Sequence, residues 1–208
     1  MNDYKTVEGT AEASFEIKRS KFFTHVEHVE TEDRAREILD AVRKKYFDAR
    51  HNCSAWILGE KSDRQKFNDD GEPSGTAGKP ILESIKEKNL TNVIVIVTRY
   101  FGGIKLGANG LIRAYHHAAE LGLDSAKILE VKSMLEVQLD FEYSFYNAID
   151  RYIRQKNFPI ESTSFENDIS MKILIPPDMQ KMLSDDLNEI SSGNVLYEFL
   201  DEKYYFGK

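Results

Sequence analysis

The sequence contains a single cysteine and no apolar run longer than one strand. The lone Cys53 excludes an internal disulfide and a zinc site built from several cysteines. The short apolar runs exclude a membrane-spanning helix, which needs about 20 apolar residues. The N-terminus, MNDYKTVEGTAEASF, lacks the basic and then apolar order of a secretory signal peptide. We therefore expect a cytoplasmic protein that does not contact a membrane.

The chain also lacks the net positive charge of a general nucleic-acid coat, because its formal net charge is −7. Residues 1–132 hold 21 basic and 21 acidic side chains, whereas residues 133–208 hold 7 basic and 14 acidic ones. No acidic residue occurs between Glu87 and Glu120. The cations of that interval are Lys88, Arg99, Lys105 and Arg113. The charge pattern therefore predicts a local cationic patch on an acidic protein.

Residues 1–132 carry a mixed pattern of strands and helices. Strand patterns cover residues 14–29, where we expect a hairpin, and residues 51–58 and 93–97. Helix patterns cover residues 31–47, 80–88 and 111–125. The run VIVIV at 93–97 is apolar throughout, which is typical of a strand buried on both faces. The last helix carries a stripe of mostly small residues, which allows close packing on a sheet. Thr31 is suited to cap the first helix.

Strict alternation replaces this mixture from residue 133. In MLEVQLDF, Leu135, Val137 and Leu139 alternate with polar residues, as in a strand with one buried face. The pattern then predicts a helix capped by Ser144, strands at 158–165 and 168–175, a helix opened by Pro177, and a last strand, VLYEFL. The order βαββαβ is that of a ferredoxin-like domain. We therefore predict an α+β protein with domains at residues 1–132 and 133–208.

The first candidate for a functional site is RYFGGIKLGANGLIRAY, at residues 99–115. A strand, a glycine-rich turn and a helix N-terminus in this order can bind an anion through free backbone N–H groups. The turn matches neither G-x-x-x-x-G-K-S/T nor G-x-G-x-x-G, which argues against an ATPase or a dinucleotide-dependent oxidoreductase. Its candidate anion-binding residues are Arg99, Gly102, Gly103, Lys105, Gly107, Gly110 and Arg113. The alternative is that the glycines only permit a tight turn and close helix packing.

A second candidate is the loop DDGEPSGTAGKP, at residues 69–80. Asp70 and Glu72 suit a carboxylate pair for hydrolysis or for a divalent ion. The loop has neither the G-x-S-x-G sequence of a hydrolase nor the spacing of a calcium loop. Its polar residues of interest are Asp70, Glu72, Ser74, Thr76 and Lys79. The alternative is a rigid loop whose carboxylates accept hydrogen bonds from neighbouring backbone N–H groups.

A third candidate is HNC, at residues 51–53. His51 and Cys53 are two apart on a predicted strand and so face the same side, as a Cys–His nucleophile requires. The alternative is a small, buried and inert cysteine. His116 and His117 are adjacent on a helix and diverge by ~100°, so they are poorly placed to share a metal ion. We expect no metal and no cofactor.

Several of these segments together resemble the YigZ/IMPACT family. They are DGEPSGTAGKPIL (70–82), VIVIVTRYFGGIKLGANGLIRAY (93–115), RSKF (19–22) and HNCSAW (51–56). The pattern departs from the family at Ala108-Asn109, where Thr/Ser-Gly is more usual. The resemblance, to a bacterial member without an RWD domain, implies a ribosomal protein S5 domain 2-like N-terminal domain, similar to domain IV of elongation factor G. The C-terminal ferredoxin-like domain is similar to domain V of that factor.

The resemblance implies RNA or ribosome association without an established enzymatic activity. We therefore interpret the chain as a non-enzymatic RNA- or ribosome-associated binding protein, linked to translation or its regulation. Arg99, Lys105 and Arg113 would contact phosphates, and Tyr100 or Phe101 would stack on an unpaired base. The acidic C-terminal domain would face a protein partner.

Two other interpretations stay open. One is a hydrolase or small-anion-binding enzyme that uses the same glycine-rich turn. Its acid–base and nucleophilic groups would be Asp70, Glu72, His51 and Cys53. The other is a translation-related regulator that binds a protein and no RNA. A cleft in which the acidic loop, His51 and the glycine turn converge would favour the enzyme, whereas an open basic surface would favour the binding protein.

Overall fold

The computed structural model describes residues 1–206, which form two compact units divided between Val131 and Lys132. We call residues 2–131 the N-terminal unit and residues 132–206 the C-terminal unit. Each unit has a hydrophobic core of its own. Within residues 1–206, every helix is too short or too polar to cross a lipid bilayer.

Six strands and three helices build most of the N-terminal unit, and five of the strands form its central antiparallel sheet. The elements are β1 (Tyr4–Glu8), β2 (Thr10–Ile17), β3 (Ser20–His28), α1 (Glu32–Lys45), β4 (His51–Leu58), β5 (Arg64–Asn68), α2 (Gly78–Glu87), β6 (Val93–Tyr100) and α3 (Ala108–Ser125). The central sheet has the order β2-β3-β6-β4-β5, so β6 lies in its middle. As VIVIV predicts, every residue of 93–97 is buried. Val95 packs on the side of α2 and α3, whereas Ile94 and Ile96 pack on the side of α1.

Two local contacts fix the helices to this sheet. The Thr31 hydroxyl accepts a hydrogen bond from the Arg34 backbone N–H at 3.2 Å, and so caps α1 as predicted. Helix α3 lies close to β3, because a Cβ on Gly122 would come within 2.4 Å of the Thr24 methyl group. The Thr24 hydroxyl also donates a hydrogen bond to the Ala118 carbonyl at 2.8 Å. The C-terminal half of α3 is therefore packed tightly against β3.

The C-terminal unit has the predicted ferredoxin-like order. Its elements are β7 (Lys127–Phe141), α4 (Tyr146–Gln155), β8 (Ile160–Phe165), β9 (Ile169–Ile175), α5 (Gln180–Ser191) and β10 (Leu196–Phe206). From Leu135 onward β7 pairs with β9, β9 pairs with β8, and β10 pairs with β7. Ile149 of α4 and Leu183 of α5 pack in one cluster with the alternating apolar residues of β7.

Four local features differ from the sequence prediction. Strands β1 and β5 are additional, and all five residues of β5 are exposed, so no apolar pattern marks it. Helix α3 begins at Ala108 rather than at Leu111, and β7 begins at Lys127, where its first residues pair with β1. Ser144 is not a cap: it lies within a 3-10 turn, and no side chain of residues 1–206 caps α4.

Candidate anion-binding cleft

A buried ion pair lies at the centre of the three segments singled out in the sequence. Arg99, near the end of β6, donates from Nη1 to Glu72 Oε1 at 2.7 Å, and the two residues are only 6% and 9% exposed. The Tyr115 hydroxyl donates to the same oxygen, also at 2.7 Å. Burial, followed by the neighbouring Cys53 and Glu72, raises the pKa of Tyr115, so this hydroxyl remains a donor.

The position of Arg99 changes its predicted role. Its guanidinium lies 5.7 Å from the Phe22 ring centroid and 5.6 Å from that of Phe101. Because its charge is paired with Glu72, Arg99 is not a free surface cation of the kind that the phosphate-contact prediction assumed. Its Nε is buried and has no hydrogen-bond partner among residues 1–206.

The loop between β5 and α2 is organised by Asp69, which the sequence analysis did not single out. Its carboxylate accepts hydrogen bonds from the backbone N–H groups of Gly75 (2.8 Å), Ala77 (3.0 Å) and Gly78 (2.9 Å). The adjacent Asp70 accepts from the Asn52 backbone N–H at 2.7 Å. The signal for Asp69 was a carboxylate at the beginning of a glycine-rich loop that leads into a helix, since carboxylates bind free N–H groups at helix starts.

The predicted residues of this loop have structural contacts. Asp70 forms an ion pair with Arg43 at 2.9 Å, and Glu72 pairs with Arg99. Asp70 and Glu72 are therefore each engaged with a different cation rather than acting as a free carboxylate pair. The Thr76 hydroxyl donates to the Pro73 carbonyl at 2.6 Å. Ser74 and Lys79 are exposed.

His51 and Cys53 project from β4 toward this loop. The Cys53 thiol is fully buried and donates to the Asp69 carbonyl at 3.0 Å. Burial is also the main cause that raises the pKa of Cys53, so the sulfur stays a thiol and is a poor nucleophile. His51 Nδ1 lies 2.9 Å from the Asp70 carbonyl oxygen, which can only accept. The proton of a neutral His51 is therefore on Nδ1, and Nε2 is the free nitrogen.

Close packing and an uncapped helix start define the glycine-rich turn. A Cβ on Gly102 would lie 1.9 Å from the Arg19 carbonyl carbon, so the chain tolerates only glycine there. Gly107, with φ +72°, is the residue before the first turn of α3, and no side chain within residues 1–206 caps that turn. Gly103 lies in the turn and Gly110 in the first turn of the helix. The free N–H groups of α3 are therefore exposed at this point.

The three segments meet in one cleft of about 350 Å³. His51, Glu72 and Arg99 line one part of it, and Lys105 and Gly107 line another. The acidic loop, the histidine and the glycine turn thus converge, as the alternative enzyme hypothesis required. Within residues 1–206, no cluster of three or more metal-ligating side chains is found here or elsewhere.

Exposed cations surround this end of the N-terminal unit. We define the cationic surface as Lys18, Arg19, Arg50, Lys105 and Arg113. None of these five side chains forms an ion pair with another residue of the described part of the chain. Lys18 and Arg19 form the β2–β3 turn, with φ +46° and +63°, in the left-handed region that non-glycine residues rarely occupy. Sequence reasoning missed Lys18, Arg19 and Arg50 as candidates, although Arg19 begins the RSKF segment, Lys18 precedes it and Arg50 precedes HNC.

The fold and this cleft define a two-domain α+β protein whose N-terminal unit carries a cationic cleft at one end of its sheet. The family model for the Impact N-terminal domain matches residues 18–123, and that for a domain of unknown function, DUF1949, matches residues 139–194. The chain belongs to the IMPACT family.

Relatives of nearly full length support this assignment. The chain is 36% identical over 193 residues to the IMPACT family member YvyE of Bacillus subtilis, covering 93% of this chain and 89% of that protein. It is 31% identical over 189 residues to the family member YigZ of Escherichia coli, covering 90% and 93%. A crystal structure described as that of an hypothetical protein superposes with a TM-score of 0.62 at 29% identity, covering 98% and 100% of the two chains.

Proposed function

We propose that the protein is a non-enzymatic RNA- or ribosome-associated binding protein, and that its cationic surface contacts RNA phosphates. The observation that carries this proposal is the grouping of five exposed, unpaired cations on a chain with a net charge of −7. Elsewhere on the N-terminal unit many cations are paired, as Arg34 is with Glu27 and Lys45 with Glu12. Unpaired cations at one end of a sheet favour a polyanionic partner.

The cleft supplies a directed site for one phosphate within this surface. The uncapped N-terminus of α3 presents backbone N–H groups, and the helix dipole adds positive potential there. Lys105 lies on the same cleft. An anion seated here would accept hydrogen bonds that are otherwise unmade, which favours binding over simple charge attraction.

The connection with translation rests on the resemblance to the family. The charge of the C-terminal unit supports a division of roles within the chain. Residues 133–208 carry 14 acidic and 7 basic side chains, which suits a basic protein surface rather than RNA. We therefore propose that the N-terminal unit contacts RNA and that the C-terminal unit contacts protein, in the cytoplasm.

A second candidate, a small-anion enzyme, is favoured by the orientation of His51. Its Nδ1 donates to the Asp70 carbonyl, so Nε2 is the free nitrogen in the cleft, 4.0 Å from Glu72 Oε1. A histidine fixed in this way is suited to accept a proton. Because Asp70, Glu72 and Cys53 are all engaged, His51 would be the main acid–base group. Turnover of small phosphate esters that disappears in His51→Asn, with the fold intact, would favour this candidate.

Ribosome co-sedimentation at ~50 and ~200 mM salt tests the RNA proposal. If five contacts form with single-stranded RNA, affinity should fall about 100-fold between these salts. The variant Arg50→Ala/Lys105→Ala/Arg113→Ala should bind weakly and lose about two units of the salt slope. The matched control Lys61→Ala/Arg64→Ala/Lys66→Ala removes three exposed cations near the opposite edge of the sheet and should bind like the wild type. Equal loss in both variants, or no wild-type binding at either salt, would contradict the proposal.

A further inference from the structure

A second cavity of about 350 Å³ lies on the other side of Leu106 from the cleft. We propose that it binds the base of an unpaired RNA nucleotide whose phosphate lies on the cationic surface. This inference rests on the proposed function and names the part of the RNA that the protein recognises. We call this cavity the base pocket. The residues that line it are Phe15, Ile17, Lys18, Leu106, Gly110, Arg113, Ala114 and His117.

Five of the eight residues that line the base pocket are apolar or glycine, and ring contacts hold its aromatic wall in position. Phe15 stacks on the fully buried Phe22, with ring centroids 4.9 Å apart and an interplanar angle of 17°. His117 contacts Phe15 edge-on, at 5.0 Å and 78°. Ile17 and the half-buried Leu106 supply aliphatic surface, and Ile17 is 39% exposed. A planar ring entering this pocket would bury apolar surface without ordering new side chains, which favours binding.

The charges around the pocket select a base that carries a phosphate. Lys18 and Arg113 lie on its wall, and both are unpaired members of the cationic surface. No carboxylate is among the described residues that line the pocket. An apolar peptide or a lipid chain has no negative charge to pair with these two cations. A nucleotide does, because it joins an apolar ring to an anionic phosphate. A volume of about 350 Å³ also lies within the ~300–1,000 Å³ range of small-molecule sites.

The position of Leu106 relates the two cavities. Leu106 lines both, so a ribose passing over it would connect a base in the pocket with a phosphate at the N-terminus of α3. A base held in this way must be unstacked and unpaired, because in a duplex its faces and edges are occupied. The proposal therefore predicts a preference for single-stranded over double-stranded RNA, which phosphate contacts alone do not produce.

The variant Ile17→Ser tests the pocket without altering its charge. Ile112→Ser is the matched control, because Ile112 is also 39% exposed and does not line the pocket. The probes are a single-stranded RNA containing 2-aminopurine, the same RNA as a duplex, and adenosine monophosphate. The full chain is used throughout, and circular dichroism and thermal unfolding establish that each variant is folded.

The wild type and Ile112→Ser should change the 2-aminopurine fluorescence and bind the single strand at least tenfold more tightly than the duplex. Ile17→Ser should lose about tenfold in single-strand affinity and most of the fluorescence change, and keep its duplex affinity. If Ile17→Ser behaves like the control while RNA binding persists, the base pocket is overturned and the proposed function stands. If the wild type binds no RNA, both are overturned. If adenosine monophosphate binds as tightly as the single strand, the ligand is a free nucleotide, and the proposal of an RNA strand is overturned.

Discussion

Arg99 Nη1 lies 2.7 Å from Glu72 Oε1, and both side chains are buried between β6 and the loop that precedes α2. This ion pair joins two of the motifs that stand out in the sequence. The Tyr115 hydroxyl, from helix α3, donates to the same carboxylate oxygen. The most recognisable residues of the chain thus hold the walls of the cleft together, and the exposed cations around them are left free for a partner.

Removing Glu72 should be strongly destabilising. In Glu72→Ala the Arg99 guanidinium stays buried without its counter-charge, so the free energy of unfolding should fall by about 3–5 kcal/mol. Urea unfolding monitored by circular dichroism measures this change. The control is Glu83→Ala, which breaks an exposed pair with Lys86 and should cost less than about 1 kcal/mol. Similar losses of unfolding free energy in the two variants would show that the buried Arg99–Glu72 pair stabilises the fold no more than an exposed pair does.

Tyr115→Phe should reveal a contribution to stability that disappears at alkaline pH. Burial raises the pKa of Tyr115 in the folded state above the value of about 10 expected when it is unfolded. Its contribution is therefore fully present below pH ~10 and is lost as the pH rises, because only the unfolded state then readily releases the proton. At pH 8 the variant should be less stable by about 1–2 kcal/mol.

The difference between wild type and Tyr115→Phe should narrow when the same urea unfolding is repeated near pH 11. The wild type alone loses the contribution of the Tyr115 hydroxyl, whereas all other tyrosines are shared by both proteins. If the difference in unfolding free energy is the same at both pH values, then the fold does not raise the pKa of Tyr115.

Gly102→Ala should disrupt the turn that carries the cleft. The new Cβ would lie 1.9 Å from the Arg19 carbonyl carbon, 2.0 Å from its oxygen and 2.4 Å from the Ser20 nitrogen, and these are all backbone atoms. We expect a loss of at least about 2 kcal/mol in the free energy of unfolding, with weaker ribosome binding. In the control Gly110→Ala the Cβ meets only the Leu106 Cβ, at 3.1 Å, and alanine favours the helix, so the change should stay below about 1 kcal/mol. Two equally stable variants would contradict this account.

Periodicity predicted those elements whose faces differ in polarity. The bounds of β4, and the buried centre of β6, follow directly from HNCSAWIL and VIVIV. Strand β5 was not predicted, because an edge strand with five exposed side chains has no apolar face to detect. The hairpin between β2 and β3 was expected, but its Lys18-Arg19 turn gives no signal, since turns of this backbone shape usually contain Asn-Gly.

The sequence predicted which segments form the candidate site, but it did not predict what each residue does within it. The sequence marked residues 51–53, 69–80 and 99–115, and the structure brings all three to one cleft. The sequence did not indicate that the charge of Arg99 is matched by Glu72, because that pairing depends on a loop 27 residues away in the chain. For the same reason Asp69, rather than Asp70, proved to be the carboxylate that organises the loop.

The two left-handed residues at the β2–β3 turn have a consequence for engineering. Holding Lys18 and Arg19 at positive φ costs roughly 1–2 kcal/mol for each residue, a strain that an Asn-Gly turn would relieve. A directed-evolution experiment that selects only for heat resistance should therefore replace this pair early. The resulting proteins would unfold at a higher temperature and carry two fewer positive charges beside the base pocket. Along such a lineage, thermal stability should therefore rise while the affinity for RNA falls.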